Sequence, residues 1–510
     1  MLSQINSCGL MGIDGYMVKV ETDIGNGLPH FDIVGLPDAT VKESKERVHA
    51  AVKNSGFGFP AKKIIVNLAP ASLKKIGAAY DLPIAVSILC ATRQLPQDAV
   101  EGSVFIGELS LDGGVYSVRG VLPMVIAAVE KGYTNFFVPA QNAAEASAVK
   151  GAKVYPVRVL KDIFDHFSGQ SVIDCYSDEN PYVQKNRDEL FLDFKDVKGQ
   201  DNAKRALEIA AAGNHNVLLI GPPGTGKTML AQRLPGILPD LSLEESLEVT
   251  KIHSIAGTLP SDTALVEQRP FRSPHHSVSS AGLTGGGTIP RPGELSLAHN
   301  GVLFLDELPE FKRDVLEAMR QPLEDGCVTI SRVNASYTYP CNMMLIASMN
   351  PCKCGYYGDT KHRCTCTPAQ IDSYRSRISG PLLDRIDIQV EVGSVDYADL
   401  SDIKEGESSK TIKDRVNKAR AIQQERYKNL PIYANAQINS GQLNDFCKIG
   451  EREHKLLENA FERLGLSARA YSRILKVART IADLEQSENI TAVHIAEAIQ
   501  YRSLDRKYFE

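Results

Sequence analysis

Along the first 170 residues, short apolar runs alternate with stretches of helical spacing. "GYMVKVETDI" and "KKIIVNLAP" read as strands. "DATVKESKERVHAAVKNSG" reads as a helix capped by Asp38 or Thr40 and closed by Gly56. "VRGVLPMVIAAVEKGYTNFFVP" reads as helix then strand, so residues 1–170 form an α+β or α/β domain. Residues 171–190 are polar and aperiodic, which predicts a linker. A second α/β region covers 191–395, and 396–510 is predicted to be a helical domain. Its last helix starts at Thr491, with Val493, Ile495, Ala496 and Ile499 at helical spacing.

The second region carries the chemistry. "NVLLIGPPGTGKT" is an apolar strand, Val217 to Ile220, running into Gly221, Pro222, Pro223, Gly224, Thr225, Gly226, Lys227 and Thr228. That is G-x-x-x-x-G-K-[ST] between a strand and a helix. Glycines let backbone N–H groups turn inward around a polyphosphate, and the following helix start adds partial positive charge. Lys227 is placed to reach the β and γ phosphates of ATP, and Thr228 offers a hydroxyl to Mg²⁺. "GVLFLDELPEF" is a second apolar strand ending in Asp306 and Glu307. Asp306 is a candidate Mg²⁺ partner through water, and Glu307 a candidate to orient the attacking water. "MMLIASMN" predicts a third strand ending in Asn350, whose amide is placed to sense the third phosphate.

Composition limits the rest. A chain of 510 residues suggests about three domains. No run approaches the roughly 18 apolar residues needed to span a bilayer. The N-terminus has neither a basic start nor an apolar segment, so a cytoplasmic protein is expected. Net charge is −5 with the signs mixed, so a nucleic-acid partner would be held in a groove or pore rather than on a whole face. Cys8, Cys90, Cys175 and Cys447 are scattered and show no disulfide framework. Four of the 10 cysteines crowd into "NPCKCGYYGDTKHRCTC", as Cys352, Cys354, Cys364 and Cys366. Two C-x-C pairs on a glycine-containing loop (351–366) suit a structural Zn²⁺, with His362 an alternative ligand. A redox pair or plain loop cysteines are the competing readings.

These motifs together resemble an AAA+ ATPase: a P-loop αβα core with a C-terminal helical lid. "FKDVKGQDNAKRALEIAAAGNHNVLLIGPPGTGKT" looks like the AAA+ entry segment, with "DVKGQ" near the adenine. "GPLLDRIDI" resembles the segment of magnesium-chelatase motors and MCM helicases that carries the arginine finger, and the matching residue is Arg385. "GLSARAYSRILKVARTIADL" resembles their sensor-2 helix, with Arg469 on the sensor arginine and Arg473 competing. The stretch from Phe271 to Phe311 is similar to the YifB/ComM family of magnesium-chelatase-like AAA+ proteins. This resemblance implies an oligomeric ring, a hexamer, that acts on DNA as a branch-migration helicase in natural transformation or homologous recombination. It also leaves open a metal-chelatase-type motor and an ATP-dependent protein remodeller.

"NLAPASLKKIGAAYDLPIAVSIL" resembles the Lon-protease, S5-like fold. Its turn reads Ile76-Gly77-Ala78-Ala79-Tyr80, with no serine, and the matching lysine position is also missing. Ser72 and Lys74 lie nearby, but serine–lysine hydrolysis is not expected. The domain is read as a module for assembly or DNA binding. "LEDGCVTISRVNASYTYPCNMMLI" predicts a hairpin, and in MCM-like ATPases such a hairpin projects into the ring channel. Arg332 near its tip is then a candidate DNA-phosphate contact. Arg272, His275 and His276 offer a second loop.

Overall fold

The computed structural model describes residues 2–177, 192–287, 290–332, 335–359, 361–394, 406–504 and Tyr508. Most of the expected linker lies outside them; its described part, 171–177, has no regular structure. The chain divides into two compact units.

The first unit comprises Met1–Gln184, Leu243–Val266 and Ser331–Thr338. Its sheet has seven strands, in the order His30–Val34, Lys63–Ala69, Asp14–Gly25, Leu2–Met11, Ser103–Phe105, Asn135–Pro139 and Lys153–Val157. Leu2–Met11 and Asp14–Gly25 form an antiparallel hairpin, and the last three strands run parallel. In Lys63–Ala69 the residues Ile64, Val66 and Leu68 are buried, the period of two expected of a half-covered strand. The helix Ala39–Asn54 is capped by Asp38, which accepts from Val41 N at 2.8 Å, rather than by Thr40. The helix Asp81–Ala91 is buried on every side. Even Asp81 is enclosed, and Arg47 Nε donates to it at 2.7 Å, since a buried carboxylate needs a partner.

The Lon-like turn contains Ala79, buried, at the place of a nucleophile. Ser72 and Lys74 are both exposed. Lys75 is fully buried, and its ammonium donates to the carbonyls of Pro70 and Leu73. That lysine is spent on the turn's own backbone.

The second unit comprises Lys185–Ser242, Glu267–Ile330 and Tyr339–Glu510. Within the region expected as a core over 191–395, Leu243–Val266 and Ser331–Thr338 group with the first unit. Five parallel strands lie in the order Phe271–Arg272, Val302–Leu305, Met344–Met349, Val217–Ile220 and Ile388–Glu391. The phosphate-loop strand and the Asp306 strand are thus separated by one strand, which ends beside Asn350.

The C-terminal helices Ser409–Arg426, Ala468–Leu484 and Ala492–Gln500 share one buried cluster with this sheet. Gln423 Nε2 donates to Ala212 O at 3.1 Å and ties the helical region to the helix Asp201–Gly213. In the last helix Ile495 and Ala498 are buried, Ile499 packs against the same cluster, and of the expected stripe Val493 is exposed. No helix among the described residues is long and apolar enough to cross a membrane.

Candidate functional site: a phosphate loop and an arginine face on one sheet

All four residues of Val217–Ile220 are buried, so the strand holds the following loop firmly. Gly221 N donates to Met349 O at 3.2 Å. A Cβ on Gly221 would lie 2.1 Å from Val392 O, so only glycine fits there. Gly224 and Gly226 have φ of 76° and 89°, a left-handed backbone that turns the loop. Thr225 Oγ1 donates to Pro222 O at 2.9 Å.

Lys227 Nζ donates to Gly221 O and Pro222 O at 2.8 Å each, and to Asn350 Oδ1 at 3.1 Å. Burial pushes this lysine down to about 8, against the upward pull of Asp306 and Glu307. Thr228 Oγ1 donates to Asp306 Oδ2 at 2.7 Å. The Walker-type lysine, threonine, aspartate and sensor asparagine therefore converge at one end of the sheet. A hydroxyl beside a carboxylate is an oxygen donor set that suits Mg²⁺. Glu307 follows Asp306 with a left-handed φ of 54°. Its N–H donates to Asp306 Oδ1 at 3.1 Å and to Ser348 Oγ at 3.3 Å.

The arginines stand elsewhere. Arg385 donates to Pro381 O at 2.7 Å and pairs with Glu324. It does not pair with Asp384 or Asp387, because Arg469 takes Asp384 at 3.0 Å and Arg473 takes Asp387 at 3.5 Å. These groups line a concavity of about 670 Å³ that contains no residue of 221–228, nor Asp306, Glu307 or Asn350. Asn216 marks its position: Asn216 Nδ2 donates to Arg385 O at 2.8 Å, and Asn216 N to Asp387 Oδ2 at 3.1 Å. Asn216 precedes the strand Val217–Ile220, whereas the phosphate loop follows it.

Comparison with known proteins agrees with this architecture. Residues 193–400 match the family model described as magnesium chelatase, subunit ChlI. Residues 20–142 match that for subunit ChlI of Mg-chelatase, and 406–502 that for the ChlI C-terminal region. Competence protein ComM of Haemophilus influenzae is 45% identical over 507 residues, covering 99% of this chain and 98% of its own. The chain belongs to the YifB/ComM family of magnesium-chelatase-like AAA+ ATPases. YifB of Escherichia coli is also 45% identical, over 506 residues, with 99% and 98% covered. Lon protease 2 of Bacillus subtilis is 34% identical over 146 residues, 26% of this chain and 25% of its own.

Within this family member the cysteine loop is the feature with metal chemistry. Sγ of Cys352 lies 3.4 Å from that of Cys354 and 3.7 Å from that of Cys364, and Cys354 and Cys364 are 3.5 Å apart. All four sulfurs, with Cys366, fall within 4.8 Å of one another. Thiolates on a tetrahedral Zn²⁺ with bonds of about 2.3 Å stand about 3.8 Å apart, so the set fits that ion. Against its desolvation, N–H groups of Tyr356 and Thr365 hold Cys354 below the usual thiol range, while the neighbouring sulfurs push Cys364 and Cys366 above it. Thiolate is the form a metal takes. His362 is not in the set; its ring pairs with Asp359 at 3.1 Å.

Three other expectations can be placed. Arg332 is exposed and ends the strand Cys327–Arg332, which pairs with Ala335–Pro340; the turn at 333–334 lies outside the described residues. Arg272 is not a free loop cation, because it is forked onto Glu294 at 2.7 and 2.8 Å. His275 and His276 stack at 4.0 Å with no third ligand beside them among the described residues.

Two participants were not anticipated. Ser348 is buried, donates to Asp306 and accepts from Glu307 N, so it braces both acids. Its signal was a lone hydroxyl in an apolar strand, two residues before Asn350 and so on the same sheet face. Gln200, left-handed at φ 61°, donates to Gly393 O at 2.6 Å and to Thr225 O at 3.4 Å. It closes the segment "DVKGQ" that resembles the part of AAA+ proteins near the adenine, where the glutamine is given no role of its own.

Proposed function

We propose that the chain is a cytoplasmic, ATP-hydrolysing ring motor on DNA, a helicase that drives branch migration during natural transformation or homologous recombination. Gly221 to Thr228 would cradle the ATP phosphates, and Thr228 with Asp306 would hold Mg²⁺, which neutralises phosphate charge. Glu307 orients the attacking water, and Asn350 reads the third phosphate. The four cysteines hold a structural Zn²⁺.

The observation that carries the ring is the opposed placement of lysine and arginine. From Asn216 to Gly221 is five residues of nearly extended chain, roughly 16 Å. A guanidinium at the Asn216 end is badly placed for its own subunit's third phosphate. It is well placed to serve a neighbour's, which supports Arg385 as a finger given in trans and favours a closed hexamer. Arg469 is 60% exposed, whereas Arg473 is only 16% exposed against Asp387. Arg469 is therefore the better second cation, and Arg473 holds the helix in place.

The DNA assignment rests on full-length kinship with a competence protein and on the exposed Arg332, repeated around a ring. The test is ATPase rate and strand displacement on forked and four-way DNA. Hydrolysis should rise with DNA and strands should separate; an unchanged rate on every DNA form sinks the reading. The three family models all name magnesium chelatase, which favours a chelatase-type motor as the second reading. That motor, or a protein remodeller, would hydrolyse ATP with no response to DNA.

A further inference from the structure

We infer that the cysteine loop is a buttress of the phosphate loop, so that metal at the cysteines and nucleotide at Lys227 bind cooperatively. The inference rests on the zinc reading above and extends it to a second site.

Six consecutive residues make both contacts. Asn350 accepts from Lys227 Nζ at 3.1 Å. Two residues on, Cys352 is completely buried. Gly355 N donates to Cys352 O at 3.0 Å and closes the turn. Gly355 sits at φ 89°, and a Cβ there would lie 2.5 Å from Pro223 Cδ and 3.1 Å from its Cγ. The backbone of the cysteine loop therefore presses directly on the second proline of the phosphate loop. A proline ring in a tight loop has little freedom to give way. The far side is tied as well: Arg375 Nε donates to Pro351 O at 3.1 Å, and its guanidinium lies 4.6 Å over the Tyr357 ring.

The physics follows from the sulfur spacing. Three of the sulfurs lie 3.4–3.7 Å apart and the fourth, of Cys366, within 4.8 Å of them, a spacing that one cation could tie together as thiolates. Without one the sulfurs share no common centre, and the segment from Asn350 to Gly355 is held less firmly. Pro223 then loses its support, and the carbonyls and amides around Lys227 are no longer held in the phosphate-binding arrangement. If metal raises nucleotide affinity by some factor, nucleotide must raise metal affinity by the same factor. Gly355 is a positioning residue here, acting through Pro223.

The experiment uses the full chain, with zinc quantified by emission spectrometry. Affinity for a fluorescent Mg-ADP analogue is measured before and after chelation. It should fall on metal removal by a factor within roughly 5–150. Zinc affinity, from competition with a chromogenic chelator, should rise by the same factor when Mg-ADP saturates the protein. This second measurement stands alone if the stripped protein unfolds. Gly355→Ala should keep its zinc and its fold at a melting temperature lowered by the strained φ, yet bind Mg-ADP more weakly and show less coupling. Stoichiometric zinc with nucleotide affinity indifferent to it overturns the coupling and leaves the zinc reading intact. A protein that takes up no zinc even when supplied overturns both.

Discussion

The strand Val217–Ile220 has different chemistry at its two ends. At the phosphate-loop end the polar groups satisfy one another: Lys227 rests on Asn350, Thr228 on Asp306, and Ser348 braces Asp306 and Glu307. At the Asn216 end each cation is capped by one local acid: Arg385 by Glu324, Arg469 by Asp384, Arg473 by Asp387. The first end is a receptor already shaped. The second is a donor that must exchange carboxylates for another anion. Glu324 is 62% exposed, so the acid that caps the largely buried Arg385 is open to water. A transition-state phosphoryl group outcompetes it easily. On the proposed roles, one sheet carries both halves of an ATPase site at opposite ends of one strand.

The sharpest way to break this comparison is to delete one half at a time. Arg385→Ala should lower the ATPase rate on the order of 10³-fold, while nucleotide affinity, measured by a fluorescent analogue, stays the same. Normal hydrolysis by that variant would falsify the finger. Glu307→Gln should lower the rate by about 10²–10⁴-fold and accumulate bound ATP. Mixing the two inactive variants sharpens the test. In a mixed ring an intact Glu307 can face an intact Arg385 from the next subunit, so part of the activity should return. No recovery on mixing means the arginine serves its own subunit.

A smaller effect tests the shaped end alone. Ser348→Ala removes the brace on Asp306 and Glu307 and should slow hydrolysis about two- to tenfold, the worth of one ordinary hydrogen bond. The Mg²⁺ concentration for half-maximal rate should rise with it. A rate equal to that of the unaltered protein would make Ser348 a bystander.

The shaped end was the legible one. A phosphate loop needs glycines and a lysine at fixed spacing, because backbone must wrap the ligand, and that demand is written locally. Asp306, Glu307 and Asn350 were readable because each ends an apolar strand. The cysteine cluster was readable from density alone. Other features depend on long-range packing and leave no local trace. Nothing in "LLDRID" tells which carboxylate caps Arg385, since Glu324 is 61 residues away. Nothing marks Leu243–Val266 as belonging with the N-terminal sheet. Helix and strand periodicity fixes which face is buried, not which domain buries it. In the last helix Ile495 and Ile499 meet the core as expected, but Val493 at the first turn is exposed.

The subtlest contrast between the two ends is in their protons. At the phosphate-loop end, burial brings Lys227 down to about 8 in the nucleotide-free site. A polyphosphate beside it stabilises the ammonium, so its pKa in the bound state is higher. The sign follows. Below about 8 the lysine is charged both free and bound, and affinity is flat with pH. As pH rises past that value the free lysine loses its proton and binding must take one up. Affinity then falls, by at most about tenfold per pH unit. Phosphate groups, with a second pKa of about 6, are already ionised there and contribute no compensating change. Calorimetric titration of Mg-ADP above pH 8 in two buffers of different ionisation enthalpy reads the proton directly. Uptake should be seen, and it should vanish in Lys227→Arg, whose guanidinium cannot titrate in that range. Affinity that climbs with pH, or heats that do not depend on the buffer, would mean that the buried lysine is already fully charged before the nucleotide arrives.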